Sequence, residues 1–396
     1  MTTVKDIQFN NQRVLIRVDF NVPLDDNLKV TDDTRIRATI PTIKAVMDNG
    51  GRPVLMSHLG RPKGSYDDKY SLSHIIYKLE ELSGVKVNFT IDCAGDEAVQ
   101  ASKNLKNGEI LLLENVRFHE GETTGDKVFA AELAKNGDFY VNDAFGTAHR
   151  AHASTAVIAD SFEGRRAFGL VMAAEIENVD KVLNSKDKPV SAIVGGAKVS
   201  SKIAILENLV DRLDNLIIAG GMAFTFIKAQ GGKIGSSLVE DDYLETARGI
   251  LEKANKNGVK VYLPIDSVNA NKFDNEAERT VTPSDAIEDG WMGLDVGPET
   301  IDQLDTVLKA SKTILWNGPM GVFEFSNFEH GTKEVARIIG EATKAGTFSI
   351  VGGGDSVAAI KKFGMEDQVS YVSTGGGAML EYLEGKTLPG IKAIQD

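Results

Sequence analysis

The feature that most constrains this chain is how its apolar runs end. About ten short runs read as strands, and nearly every one stops at Gly, Asp, Asn, His or Arg. In the first half the run ends carry side chains that grip anions: RVLIRVDFN, PVLMSHLGRP, ILLLENVRF and FYVNDAFGTAHRAH. In the second half they carry glycine: AIVGGAKVSSK, LIIAGGM, ILWNGPMG, SIVGGGDS and YVSTGGGA. Open parallel sheets bind ligands just beyond the carboxyl ends of their strands. Two such sheets are therefore expected, one holding a small anion through Arg and His, the other a phosphate ligand through backbone. That division suggests a two-substrate enzyme.

At 396 residues the chain suits two domains, each with its own core. Strand candidates alternate with helical patterns, the signature of βαβ units and a parallel sheet. In SSKIAILENLVDRL, Ile203, Leu206, Leu209, Val210 and Leu213 recur at helical spacing. ETIDQLDTVLKASK repeats this with Ile301, Leu304, Val307 and Leu308. Leu216–Ala219, Val259–Leu263, Thr313–Trp316 and Phe348–Val351 read as strands buried on both faces. Met172, Ile176, Val179 and Leu183 mark an amphipathic helix before NSKDKP, placing a semi-rigid connector at 172–188. The domains are then expected at 1–171 and 189–379.

The net charge of −13 argues against a nucleic-acid partner and makes the Arg clusters stand out. Cys93 is the only cysteine, which excludes an internal disulfide and a thiolate metal cluster; it reads as a buried bystander. No apolar stretch suits a signal peptide or a transmembrane helix, so a cytoplasmic location without a membrane partner is expected.

Asp19 and Asn21 follow the first run, His58 and Arg61 the second, Arg117 the third, and His149, Arg150 and His152 the fourth. Arg35 opens a helix with Thr31 or Asp32 as its cap. The planar guanidinium fork holds phosphate or carboxylate and keeps its charge. A single Arg after a strand reads as a surface ion pair, and Arg37 is assigned that role; several at four strand ends read as a site. His149 and His152 lack a third metal ligand with convincing spacing. In the second half, glycine lets backbone approach a phosphate at a helix N-terminus. Lys198 and Lys202 share a face if the helix has begun, and Asp355 in GGGDS is a ligand type for magnesium. These pieces suggest phosphoryl transfer; no general base stands out, an absence that an acceptor already ionised, such as a carboxylate, would tolerate.

RVDFNVP, SHLGRP, ENVRF, DAFGTAHRAHAST, GGAKVSSK, GGMAFTF, LWNGPMGVFE, GGGDS and STGGGA, in order and across nearly the whole chain, resemble phosphoglycerate kinase. The resemblance implies an α/β protein of two doubly wound, Rossmann-like domains joined by a connecting helix, with a central cleft and hinge closure. It implies a monomeric glycolytic enzyme exchanging a phosphoryl group between 1,3-bisphosphoglycerate and MgADP. By the same resemblance Asp19, Asn21, Arg35, His58, Arg61, Arg117 and Arg150 would hold the phosphoglycerate in the first domain. Arg35 would also contact the end where transfer occurs, and Lys198 would neutralise the moving group, with Gly353 and Gly376 counted beside them as catalytic. Lys202 would meet nucleotide phosphates, Glu324 the ribose, and Asp355 the magnesium. Gly220, Gly221, Gly293 and Asn317 resemble an adenosine pocket, while Gly352–Gly354 with Ser356, and Gly375–Gly377, would line the phosphate path. The segment 380–396 would pack back on the first domain. Residues 270–290 carry no recognisable motif. Two rival readings are another ATP-dependent kinase or ligase acting on a small carboxylate, and a hinged two-lobe binding protein.

Overall fold

In the computed structural model, which describes Met1 to Asp396, the chain forms two compact units. One comprises Met1–Glu177 with Thr387–Asp396, the other Asn178–Lys386.

The first unit is built on β1 (Arg13–Arg17), β2 (Arg52–Met56), β3 (Val87–Phe89), β4 (Ile110–Leu112), β5 (Phe139–Asn142) and β6 (Arg166–Phe168). They pair in the order β3-β4-β2-β1-β5-β6, every pair parallel. The runs are continuously apolar because both faces are covered: Ile16 and Leu55 pack on one side, Leu15, Val54 and Met56 on the other. The helix Thr34–Asp48 lays Ile36, Ile40, Ile43 and Val46 on the first face, each burial contributing roughly 1.5–3 kcal/mol. The chain passes from β1 to β2 on one side and returns from β4 to β5 on the other side of β1, so the order reverses beside the carboxyl end of β1.

The second unit continues with β7 (Val190–Val194), β8 (Asn215–Ile218), β9 (Lys233–Ile234), β10 (Lys260–Tyr262), β11 (Asp266–Ala270), β12 (Arg279–Pro283), β13 (Ala286–Ile287), β14 (Met292–Val296), β15 (Thr313–Asn317), β16 (Phe348–Val351) and β17 (Tyr371–Val372). Its main sheet is parallel in the order β10-β8-β7-β15-β16-β17, with the reversal beside β7. β10 is an edge strand with an exposed Lys260 and half-buried Val261 and Tyr262, so that run is not buried on both faces as its composition suggests. The helix after β7 is shorter than its apolar spacing predicts: it spans Ile203–Leu209, and Val210 and Leu213 are buried beyond its end.

Residues 266–296, which contain the stretch without a motif, form a three-stranded antiparallel sheet in the order β12-β11-β14. The buried Asp266 fastens it to the unit, accepting from the Glu299 and Thr300 amides (3.0 and 2.8 Å) at the start of the helix Pro298–Ala310.

The connecting helix runs from Leu170 to Leu183, earlier at both ends than expected, and the boundary between the compact units falls within it. The residues before it, Phe168 and Gly169, supply no capping side chain. The cap comes from elsewhere: Asp143 Oδ1 accepts from the Val171 and Met172 amides (2.8 and 3.2 Å), and Thr42 Oγ1 from Leu170 (2.9 Å). Burial pushes the Asp143 carboxyl up to about 7, against the pull of those bonds. A carboxyl pKa raised by folding favours the protonated native state. Its contribution to stability is full below the unfolded value near 4 and is lost as pH rises through about 7. Denaturant titrations of Asp143→Asn should therefore show the variant gaining on the wild type by roughly 4 kcal/mol from pH 4 to 8. Parallel curves would contradict this.

The C-terminal segment also differs from expectation at its start. Leu380–Leu383 lie in the helix Gly377–Leu383, which stays with the second unit through a bond from Asn208 Nδ2 to the Leu383 carbonyl. Only Thr387–Asp396 joins the first unit. There Gly390 N donates to Ala148 O (2.8 Å), and Ala393 and Ile394 pack against the core.

Candidate functional site

Because the first unit's strands are parallel, their carboxyl ends share one edge, and that edge gathers the basic side chains. After β1, Asp19 accepts from Arg35 Nη1 at 3.1 Å, and the same nitrogen reaches the Asn21 carbonyl (3.1 Å). Arg35 sits in the first turn of its helix; the N-cap is Asp33, and Asp32 Oδ1 accepts from the Thr34 amide (2.8 Å). Arg37 points away and pairs with Asp33.

Gly60 ties three strand ends together. Its amide donates to Asn21 Oδ1 (2.8 Å) and its carbonyl accepts from Arg117 Nη1 (2.8 Å). It holds φ +62°, and a Cβ there would lie 2.2 Å from the Tyr70 ring. Asn21 thus spends its oxygen on Gly60, which leaves its amide nitrogen as a donor. Asn115 Nδ2 fixes the same loop through the carbonyls of Leu59 and Tyr70 (2.8 and 2.9 Å), and its Oδ1 caps the turn carrying Arg117. His58 is buried, whereas Arg61 and Arg150 are exposed.

The field in this edge is strongly positive. Burial and Arg17 hold Arg117 down to about 10, still charged at neutral pH. Burial, then Arg117 and Arg17, depress His152 to about 4, so it is neutral there. This environment repels a cation, and His149 Nε2 accepts from Arg150 Nε at 2.9 Å, so the two histidines do not make a metal pair. Cys93 is buried and its thiol is pushed well up, as a bystander should be. Its neighbours Asp92 and His119 are bonded to each other at 2.8 Å.

The second unit's glycine turns line the carboxyl edge of its main sheet and one wall of a cavity of about 620 Å³. Gly196, Gly220, Gly221, Gly293, Glu324 and Asp355 all reach it. Gly195 lets two strand ends nearly touch: a Cβ there would fall 2.2 Å from the Pro319 carbonyl oxygen. Asn317, at the end of β15, accepts from Lys202 Nζ (2.5 Å) and donates to Gly352 O (2.8 Å). Ser356 Oγ accepts from the Gly318 amide. Gly353 is the N-cap of the helix Gly354–Lys362, whose first turn exposes Asp355. Burial lowers Lys202, while Asp355 and Glu384 pull it back up.

Lys198 is exposed and extended (φ −131°, ψ 131°); the α-helix begins only at Ile203, so Lys198 and Lys202 are not on one helical face. Gly375–Gly377, with Gly376 at φ +49°, lead into the helix after β17 and are not among the cavity-lining residues. The apolar wall of Phe224, Leu238, Met292, Leu294 and Val322 was not legible in sequence. These residues come from separate elements; Phe224 and Val322 lie within GGMAFTF and LWNGPMGVFE, and Gly293 marked the place of Met292 and Leu294. Arg17, Gly60 and Asn115 also escaped assignment to the site.

A basic edge in one parallel-sheet unit and a glycine-lined cavity in the other are the equipment of a phosphotransferase with two small anionic substrates. A sequence model of the family "Phosphoglycerate kinase" matches residues 4–386. A phosphoglycerate kinase of Porphyromonas gingivalis is 52% identical over 417 aligned positions, covering 99% of this chain and 100% of the relative. The cytosolic phosphoglycerate kinase 3 of Arabidopsis thaliana is 51% identical, covering 100% of this chain and 98% of its own. The solved phosphoglycerate kinase of Coxiella burnetii superposes with a TM-score of 0.90 at 40% identity, covering 99% of this chain and 98% of that one. The chain belongs to the phosphoglycerate kinase family. Its reaction is reversible phosphoryl transfer between 1,3-bisphosphoglycerate and ADP, giving 3-phosphoglycerate and ATP.

Proposed function

We propose that the first unit holds the phosphoglycerate through Asn21, Arg35, His58, Arg61, Arg117 and Arg150, with Asp19 accepting from its hydroxyl, and that the second unit holds the nucleotide. The observation carrying this reading is the Gly60 link, which unites Asn21 and Arg117 at one anion-friendly edge. Adenosine lies in the cavity against Gly220, Gly221 and Gly293, with Glu324 at its ribose. The phosphates run toward Lys202, Asn317, Ser356 and Gly352–Gly354, where a helix N-terminus favours negative charge. Gly375–Gly377 border the far end of that path.

Asp355 fits a magnesium ion that arrives with the nucleotide: it is an exposed carboxylate on the cavity wall, and Mg²⁺ takes one or two carboxylates with phosphate oxygens. When bound, the ion supplies charge neutralisation at the phosphates. Arg35 in the first unit acts on the transferring end of the phosphoglycerate, and Lys198 in the second, with Gly353 and Gly376, acts on the phosphoryl group from the nucleotide side. The acceptor carboxylate is already ionised, so no side chain need remove a proton. The protein acts as a monomer in the cytoplasm, with neither nucleic acid nor membrane as partner. No helix is long and apolar enough to cross a membrane.

A pair of variants in a coupled assay tests the division of labour. Arg117→Met should raise KM for 3-phosphoglycerate by roughly tenfold or more and leave that for ATP near wild type. Lys202→Met should do the reverse. If either variant weakens both substrates equally, the two-site assignment fails.

A further inference from the structure

Arg17 is the largest charged side chain with no exposure, and its bonds run in a single direction. Nε donates to Ser154 Oγ (2.8 Å), which donates to Glu122 Oε1 (2.7 Å); the Ser154 amide donates to Glu122 Oε2 (2.9 Å). Nη1 donates to the Val18 carbonyl, and Nη2 lies 3.1 Å from His58 Nδ1. Glu122 is fully buried, so the two opposite charges are held in place through one hydroxyl.

A guanidinium has donors only and keeps its protons at any working pH. Nδ1 of His58 must then be the acceptor, and a neutral imidazole carries its one proton on the other nitrogen. We propose that Arg17 is a positioning residue that fixes His58 as the neutral Nε2–H tautomer, so that the ring offers a donor to the phosphoglycerate anion. This rests on the assignment of His58 to that substrate.

The opposite tautomer would set N–H against N–H and lose the bond to Arg17. The imidazolium is disfavoured first by burial and then by the guanidinium groups of Arg17, Arg117 and Arg35; His152, the other basic side chain facing the ring, is itself uncharged at neutral pH. A neutral donor in a field of guanidinium groups adds a directional bond without adding repulsion. It also keeps the proton count of the site constant across neutral pH.

Nitrogen-15 NMR of histidine-labelled wild-type protein reads the tautomer directly, with His58→Gln identifying the signals among the six histidines. The expected result is an acceptor-type Nδ1 and a protonated Nε2, unchanged from pH 5.5 to 8. A protonated Nδ1, or an imidazolium in that range, would overturn the proposal even if no Arg17 variant folds. Arg17→Met should raise KM for 3-phosphoglycerate by roughly tenfold, with the ATP value within about twofold. It should also give His58 a mixed tautomer and a pH-dependent KM, and Arg17→Lys should restore part of both. A raised KM with the His58 pattern unchanged would make Arg17 a direct ligand or a packing residue and sink the idea. An intact tautomer whose Nε2–H ignores added 3-phosphoglycerate would instead remove His58 from the substrate site, leaving the hold of Arg17 on the ring standing.

Discussion

Replacing Arg35 by alanine is expected to lower kcat by roughly 10³-fold while KM for the nucleotide stays near wild type. Arg35 belongs to the basic edge proposed to hold the phosphoglycerate, and its charge is held there by Asp19 at 3.1 Å. A guanidinium so placed acts on charge that moves during transfer, which binding alone does not measure. The change also strands Asp19, a half-buried carboxylate, beside the anion it must tolerate. Arg35→Lys should recover only part of the loss, because an ammonium cannot reproduce the fork. Steady-state kinetics in both directions provide the check. A large loss of nucleotide affinity with normal turnover would move Arg35 out of this role.

Lys198→Ala should reduce kcat by roughly 10²-fold or more, with smaller changes in either KM. The side chain is exposed and no buried partner depends on it, so the fold should be indifferent to its removal. That makes the variant a clean probe: thermal stability should match the wild type within about 0.5 kcal/mol. The residue before it, Ala197, is part of the wall of the cavity proposed to hold the nucleotide. A raised nucleotide KM with unchanged turnover would assign Lys198 to ground-state binding.

Much of the candidate site is legible along the chain because strand ends in a parallel sheet are both local in pattern and convergent in space. Gly352–Gly354 after β16 and His58 after β2 needed only the run, its end and the rule about carboxyl edges. That legibility ends where a neighbour far along the chain decides the outcome. The cap of the helix Leu170–Leu183 comes from Asp143 and Thr42, so no capping residue precedes it. The helix after β7 stops at Leu209 although Val210 and Leu213 keep its apolar spacing. β11, β12 and β14 are short, mixed in polarity and paired antiparallel, which leaves no run to read.

The alternation of strand and helix, the two parallel sheets and the contrast between basic and glycine-rich ends are all written in residues close together along the chain. It took the folded chain to show that Gly60 joins Asn21 to Arg117, that Arg17 is tied to Glu122 through Ser154 and to His58, and that an antiparallel sheet walls the glycine-lined cavity. Those features are hydrogen bonds and contacts between residues tens of positions apart, and their partners become known only when the chain has closed on itself.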